Sequence, residues 1–178
     1  PKKIQIGYFD KEINEFIEKV GIEFGIEFDP VITGKSGQTD MMIVKPFHCC
    51  CEVTPSRSVV TGGEKVGEVF RHRSGHIGKD RKAIQRNESP PSGGGEIGAC
   101  VIGASFSKED GYDKHGAVDS AEELKVSLIR YMDLYELVCL NEKVKLTDEE
   151  LKEIFFYQDD KSPEAAERIY ELITEKNC

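Results

Sequence analysis

Long apolar runs are missing from this chain. No stretch approaches the roughly 20 consecutive apolar residues that cross a bilayer, and the start, Pro1-Lys2-Lys3-Ile4, lacks the apolar core of a signal peptide. These absences point to a cytoplasmic protein with no membrane partner. Paired cysteines at metal-ligand spacing are missing as well. Three of the six cysteines, Cys49, Cys50 and Cys51, are consecutive, and neighbouring strand residues face opposite ways, so the three cannot share one disulfide. A buried strand accepts them as small hydrophobes. The sharper alternative, zinc held by His48 and the cysteines, has no second ligand pair at Cys-x-x-Cys spacing. An excess of positive charge is also lacking: the net charge of −9 argues against nucleic-acid binding by bulk electrostatics alone. Nor are there internal repeats, coiled-coil heptads, or a helix-turn-helix or zinc-finger signature for reading bases.

What is present suits one wet-surfaced domain spanning 1–178, with 38% apolar and 32% charged residues. Charge is unevenly spread. Residues 57–86 hold eight basic groups, among them Arg71, Arg73, Lys79, Arg81 and Lys82, against three acids, for a local charge of +5 on a body of −14. Such a strip can track a phosphate backbone, although a solvated helix face has the same composition.

Periodicity supplies the elements. Ile13, Phe16, Ile17 and Val20 predict an amphipathic helix over 10–20, with Asp10 as N-cap and Gly21 as its end. Ile22 to Phe28 is a short strand or an irregular approach to Asp29-Pro30. Met41 to Val44, the turn Lys45-Pro46-Phe47, and His48 to Val53 form a hairpin. Glu64 to Arg86 is helical despite three glycines, and Ser89 to Gly95 is a loop. Ile97 to Ala104 is small and apolar throughout, as a central buried strand requires. Ser120-Ala-Glu-Glu123 has capping-box spacing and opens a helix burying Leu124, Leu128, Tyr131 and Tyr135. Thr147 opens a further helix ending near Tyr157, and Ser162-Pro163-Glu164 the last, with proline in its first turn. The order α, β, β, α, β, α, α, α describes an α/β core with the hairpin near its middle.

Two carboxylates frame that hairpin. Asp40 precedes the first strand and Glu52 lies inside the second. A buried, unpaired carboxylate is expensive, so Glu52 needs a cation, a metal or a structural salt bridge. Paired carboxylates suit Mg²⁺, which takes oxygen ligands and serves phosphodiester cleavage. Thr54 follows on the same strand face and could orient a nucleophile. Glu68, Arg71 and His72 share one helix face, with Glu64 a turn earlier. Glu64 or Glu68 could complete a metal shell, and His72 could move a proton.

Taken together, these residues resemble the PD-(D/E)XK nucleases, in which an acid precedes Glu-x-Lys by about a dozen residues. Glu52-Val53-Thr54 with the Glu64/Glu68…Arg71-His72 segment is similar to the type IIS restriction endonucleases of AlwI-like kind. The FokI-type cleavage domain is a more distant relative. The resemblance spans roughly 34–156 and is most specific over 39–72. Thr39 stands in place of the usual proline, and Thr54 in place of the lysine that activates water. The resemblance implies a restriction-endonuclease-like core, a central mixed sheet with a catalytic β-hairpin flanked by helices. It also implies a Mg²⁺-dependent endodeoxyribonuclease acting on double-stranded DNA, with Asp40 and Glu52 as metal ligands. Glu64 or Glu68, Thr54 and His72 would be catalytic, and Arg71, Arg73, Lys79, Arg81 and Lys82 would hold DNA. With no recognition module visible, the expected partner is a larger recognition or nicking subunit. A standalone repair or recombination nuclease and a non-enzymatic α/β adaptor are the two rival readings.

Overall fold

The computed structural model describes residues 8–30, 41–54, 60, 63–107 and 116–176. Helix α1 (Tyr8–Phe24) runs past Gly21. Its apolar stripe, Ile13, Ile17, Val20 and Phe24, continues at helical spacing and is buried. The stop is Gly25, whose φ of 67° is left-handed and inexpensive only for glycine. Next come β1 (Glu27–Pro30), β2 (Met41–Lys45) and β3 (His48–Val53), the last two joined through a cis Lys45–Pro46 peptide. Helix α2 (Glu64–Gln85) leads to β4 (Ile97–Gly103). Then follow α3 (Ala117–Leu124), β5 (Ser127–Arg130), α4 (Tyr131–Lys143), α5 (Asp148–Phe155) and α6 (Ala166–Lys176).

The five strands form one mixed sheet in the order β1-β2-β3-β4-β5. β1, β2 and β3 pair antiparallel, whereas β4 runs parallel to both β3 and β5. Helices cover both faces, as a sheet with buried parallel strands requires. On one face Cys49, Cys51, Cys100, Ile102 and Ile129 pack with α1, α4, α5 and α6. On the other, Cys50, Ala99, Val101 and Leu128 pack with α2 and α3. β4 is buried along its whole length, and its small residues have a reason: a Cβ on Gly98 would come within 2.7 Å of the Phe156 ring. Among the described residues, no helix is long and apolar enough to cross a membrane.

Several sequence expectations are corrected. The helix expected from Ser120 through Tyr135 is α3, a strand and α4 in succession. Lys125 adopts a left-handed φ of 56° that ends α3, and the apolar run that follows joins the sheet, so Leu128 is buried as a strand residue against α2 and α3. Tyr135 is 55% exposed on α4, and the N-cap of α3 is Gly116 rather than Ser120. The last helix does not begin at Pro163. Leu128 N donates to Pro163 O and Ala165 N to Leu128 O, both at 2.8 Å, so this segment runs beside β5 before α6 starts. By contrast, Thr147 is the N-cap expected, in a reciprocal capping box with Glu150, although α5 ends at Phe155 rather than near Tyr157.

Candidate active site

Alternation along β3 turns Cys49, Cys51 and Val53 to one core and Cys50 to the other. Glu52 shares the parity of Cys50 and so faces the α2 side. It is only 3% exposed, and its compensation comes from a residue outside the expected set, Lys65 in the first turn of α2. Lys65 Nζ lies 2.6 Å from Glu52 Oε1 and 2.8 Å from Glu68 Oε2. Partial burial pulls the Lys65 ammonium's pKa down, but hydrogen bonds to Glu52 and Glu68 outweigh it, and the net shift is upward. A strand carboxylate and a helix carboxylate therefore converge on one compact cation. The signal for Lys65 was available in the sequence: it stands three residues before Glu68, and such pairs meet on a helix.

The other expected residues divide by position. Asp40 lies outside the described residues; its successor Met41 opens β2 opposite Cys51, the neighbour of Glu52 in the chain. Thr54 is buried just past β3. Its backbone N–H and its hydroxyl both donate to Ile102 O, at 2.9 and 3.2 Å, and its carbonyl accepts from the Tyr131 hydroxyl. Thr54 thereby ties the end of β3 to β4 and to the start of α4. Glu64, the first residue of α2, is exposed, whereas Glu68 is half-buried. His72 is half-buried, and its Nδ1 is shielded from solvent with no hydrogen-bond partner among the described residues.

Of the five basic residues assigned to DNA, Arg71, Lys79, Arg81 and Lys82 are exposed along α2. Arg73 is engaged within the fold. Its guanidinium donates to Lys125 O at 2.6 Å and Leu124 O at 2.7 Å, and it stacks 5.3 Å from the centre of the Phe70 ring. Burial lowers its pKa. It caps the C-terminal end of α3, where unsatisfied carbonyls attract cations.

Cys49, Cys51 and Cys100 bring their sulfurs within 4.8 Å of one another, with Cys100 Sγ 3.3 Å from Cys51 Sγ. His48 is not part of this group. The surroundings are the apolar core of α1, α4, α5 and α6, and burial pushes the Cys49 and Cys51 thiols well up. A zinc ion requires thiolates and, in a structural site, four ligands. Burial acts on Cys100 in the same sense, but hydrogen bonds from Cys49 and Cys51 outweigh it and its net shift is downward. With Cys49 and Cys51 held neutral and donating weakly to backbone carbonyls, the trio packs within the apolar core.

Comparison with solved structures bears on this arrangement. The structure of restriction endonuclease FokI is similar with a TM-score of 0.54 and 18% identity, over 79% of this chain and 26% of FokI. The structure of FokI bound to DNA gives 0.53 and 17%, over 85% of this chain and 27% of FokI. The fold is restriction-endonuclease-like. At this identity the likeness concerns the fold, and the chain spans about a quarter of FokI's length, 26–27%. No family model and no curated protein matches the chain.

Proposed function

We propose that this chain is a Mg²⁺-dependent endodeoxyribonuclease, the cleavage subunit or domain of a type IIS restriction endonuclease. It cuts one strand of double-stranded DNA and relies on a separate, larger recognition or nicking subunit for its site. The observation that carries this reading is Glu52, a buried carboxylate on a central strand that meets a second carboxylate, Glu68, around a single cation. Oxygen donors gathered about one point of positive charge are the donor set a hard divalent ion takes. Asp40 and Glu52 would hold Mg²⁺, which when bound supplies an acidified water and charge stabilisation at phosphorus.

The chain's own residues do the rest. Glu52 is fixed by its strand, and Glu68 rather than Glu64 is the helix acid, since Glu68 is the one joined to Glu52 through Lys65. His72, one helical turn beyond Glu68 on α2, is the residue that would move a proton. Thr54 fixes the geometry between β3, β4 and α4, with both its hydroxyl and its N–H already given to Ile102. Arg71, Lys79, Arg81 and Lys82 offer exposed charge to the phosphate backbone. The overall charge of −9 makes unassisted binding weak, which is why a recognition partner is expected.

The test is incubation of supercoiled plasmid with Mg²⁺ and this chain, with and without a candidate large subunit. Nicking that requires Mg²⁺ and disappears in Asp40→Ala and in Glu52→Ala is the expected result. Wild-type-like nicking by either folded variant overturns the site assignment. Robust site-specific cleavage by the chain alone at moderate salt overturns the division of labour.

A further inference from the structure

The strand position that carries a lysine in the resembling nucleases holds Thr54 here, and an ammonium bonded to Glu52 comes from α2 instead. Lys65 Nζ lies 2.6 Å from Glu52 Oε1 and 2.8 Å from Glu68 Oε2. That is hydrogen-bond contact with two carboxylates at once, and each bond takes up a lone pair that a metal on the same oxygen would use. Mg²⁺ binds carboxylate oxygen at roughly 2.0–2.1 Å. An ion on Glu52 Oε1 and an ammonium on the same oxygen would be two cations at contact distance, where repulsion is strong even at a protein surface.

The two partners differ in freedom. The Glu52 side chain is 4% exposed and anchored on a strand, whereas the Lys65 side chain is 42% exposed on a flexible stem. If one moves, it is Lys65.

We propose that, where Glu52 takes up a divalent ion, Lys65 is its resident counter-ion: it neutralises the buried carboxylate before the metal arrives and must withdraw for the metal to bind. Two properties follow. The metal-free fold avoids the cost of a buried unpaired charge, and the ion binds more weakly than the carboxylates alone would allow. Metal uptake and the release of the α2 ammonium are then one event.

Calcium is the probe, since it takes the same oxygen ligands. Its affinity is measured by titration calorimetry on the full chain, as wild type, Lys65→Met and Lys65→Arg. Lys65→Met, which keeps the stem and removes the charge, is expected to bind Ca²⁺ at least about tenfold more tightly than wild type. Lys65→Arg, which keeps the charge, is expected to stay near wild type. A second readout avoids the variants: in wild-type protein with ¹⁵N-labelled lysine, the hydrogen-bonded Lys65 ammonium resonance should be lost on saturation with Ca²⁺. Equal or weaker binding by Lys65→Met beside measurable wild-type binding overturns the counter-ion role and leaves the metal reading standing. So does an ammonium resonance that persists at saturation. Failure of wild type and Lys65→Met alike to bind Ca²⁺ overturns the metal reading and the counter-ion role with it.

Discussion

Replacing Arg73 by alanine separates two roles that its charge alone does not distinguish. On composition it belongs with the basic strip, but its guanidinium spans the carbonyls of Leu124 and Lys125 at 2.7 and 2.6 Å and stacks on Phe70. Hydrogen bonds from a charged donor contribute about 1.5–3 kcal/mol each in favourable burial. Because the bond to Lys125 O is exposed, and water can re-solvate that carbonyl in the variant, the pair is worth about 2 kcal/mol in total. For a chain of this size that corresponds to a fall in Tm of about 4–8 °C. Arg73→Lys should recover only part of it, since one ammonium cannot match the planar fork. The assay is thermal unfolding followed by circular dichroism, beside DNA binding by fluorescence anisotropy across a salt series. Arg73→Ala should lower Tm and leave the salt slope unchanged. Lys82→Ala should leave Tm near wild type and reduce that slope by about one. An Arg73→Ala protein that melts like wild type yet binds DNA more weakly would refute the reasoning.

Other outcomes can be stated more briefly. Glu52→Gln keeps the side-chain shape and leaves Lys65 paired with Glu68, so thermal stability should change by less than about 1.5 kcal/mol while any Ca²⁺-induced rise in Tm disappears; a retained rise would place the ion elsewhere. Burial, then the charge of Lys79, hold the pKa of His76 below its ordinary 6.5, with Asp80 opposing. The folded state therefore binds fewer protons than the unfolded one, and this part of the stability is complete above pH 6.5 and declines as pH falls below it. His76→Gln should flatten that limb in denaturation curves between pH 7 and pH 5, and an unaltered limb would assign it to another group. Gly98→Ala places a methyl 2.7 Å from the Phe156 ring, which Phe47 holds edge-on at 5.5 Å. Overpacking of this kind costs about 1–3 kcal/mol, and urea denaturation with unchanged stability would show that the ring gives way freely.

The elements that hydrophobic pattern and turn chemistry jointly specify were legible: α1 by its stripe, the β2–β3 hairpin, β4 by its small apolar residues, and α5 by its capping box. β5 was not. Its run Val126 to Ile129 lies between two helices with no turn residue, and a short apolar run looks alike as strand or buried helix. What decides it is tertiary, namely the parallel register with β4 from Cys100–Ser127 to Gly103–Arg130. At the site, Glu52 was legible as a carboxylate needing a cation, a metal or a salt bridge, but the sequence did not name the residue that supplies it. Only the packing of α2 over β3 brings Lys65 to Glu52, thirteen residues away in sequence. Arg73 shows the converse, where charge in a basic segment hid a structural task that only α3 reveals.

The four thiols of Cys49, Cys50, Cys51 and Cys100 are all fully buried, on adjacent strands at the centre of the sheet, while Cys139 is half-buried on α4. The molecule therefore carries its own clock for opening. A small alkylating reagent should mark Cys139 early, and the strand thiols only as often as β3 and β4 come apart. The lag between the two, read by mass spectrometry on unaltered protein, times the breathing of the strand that carries Glu52. Any ligand that grips this strand should lengthen that lag.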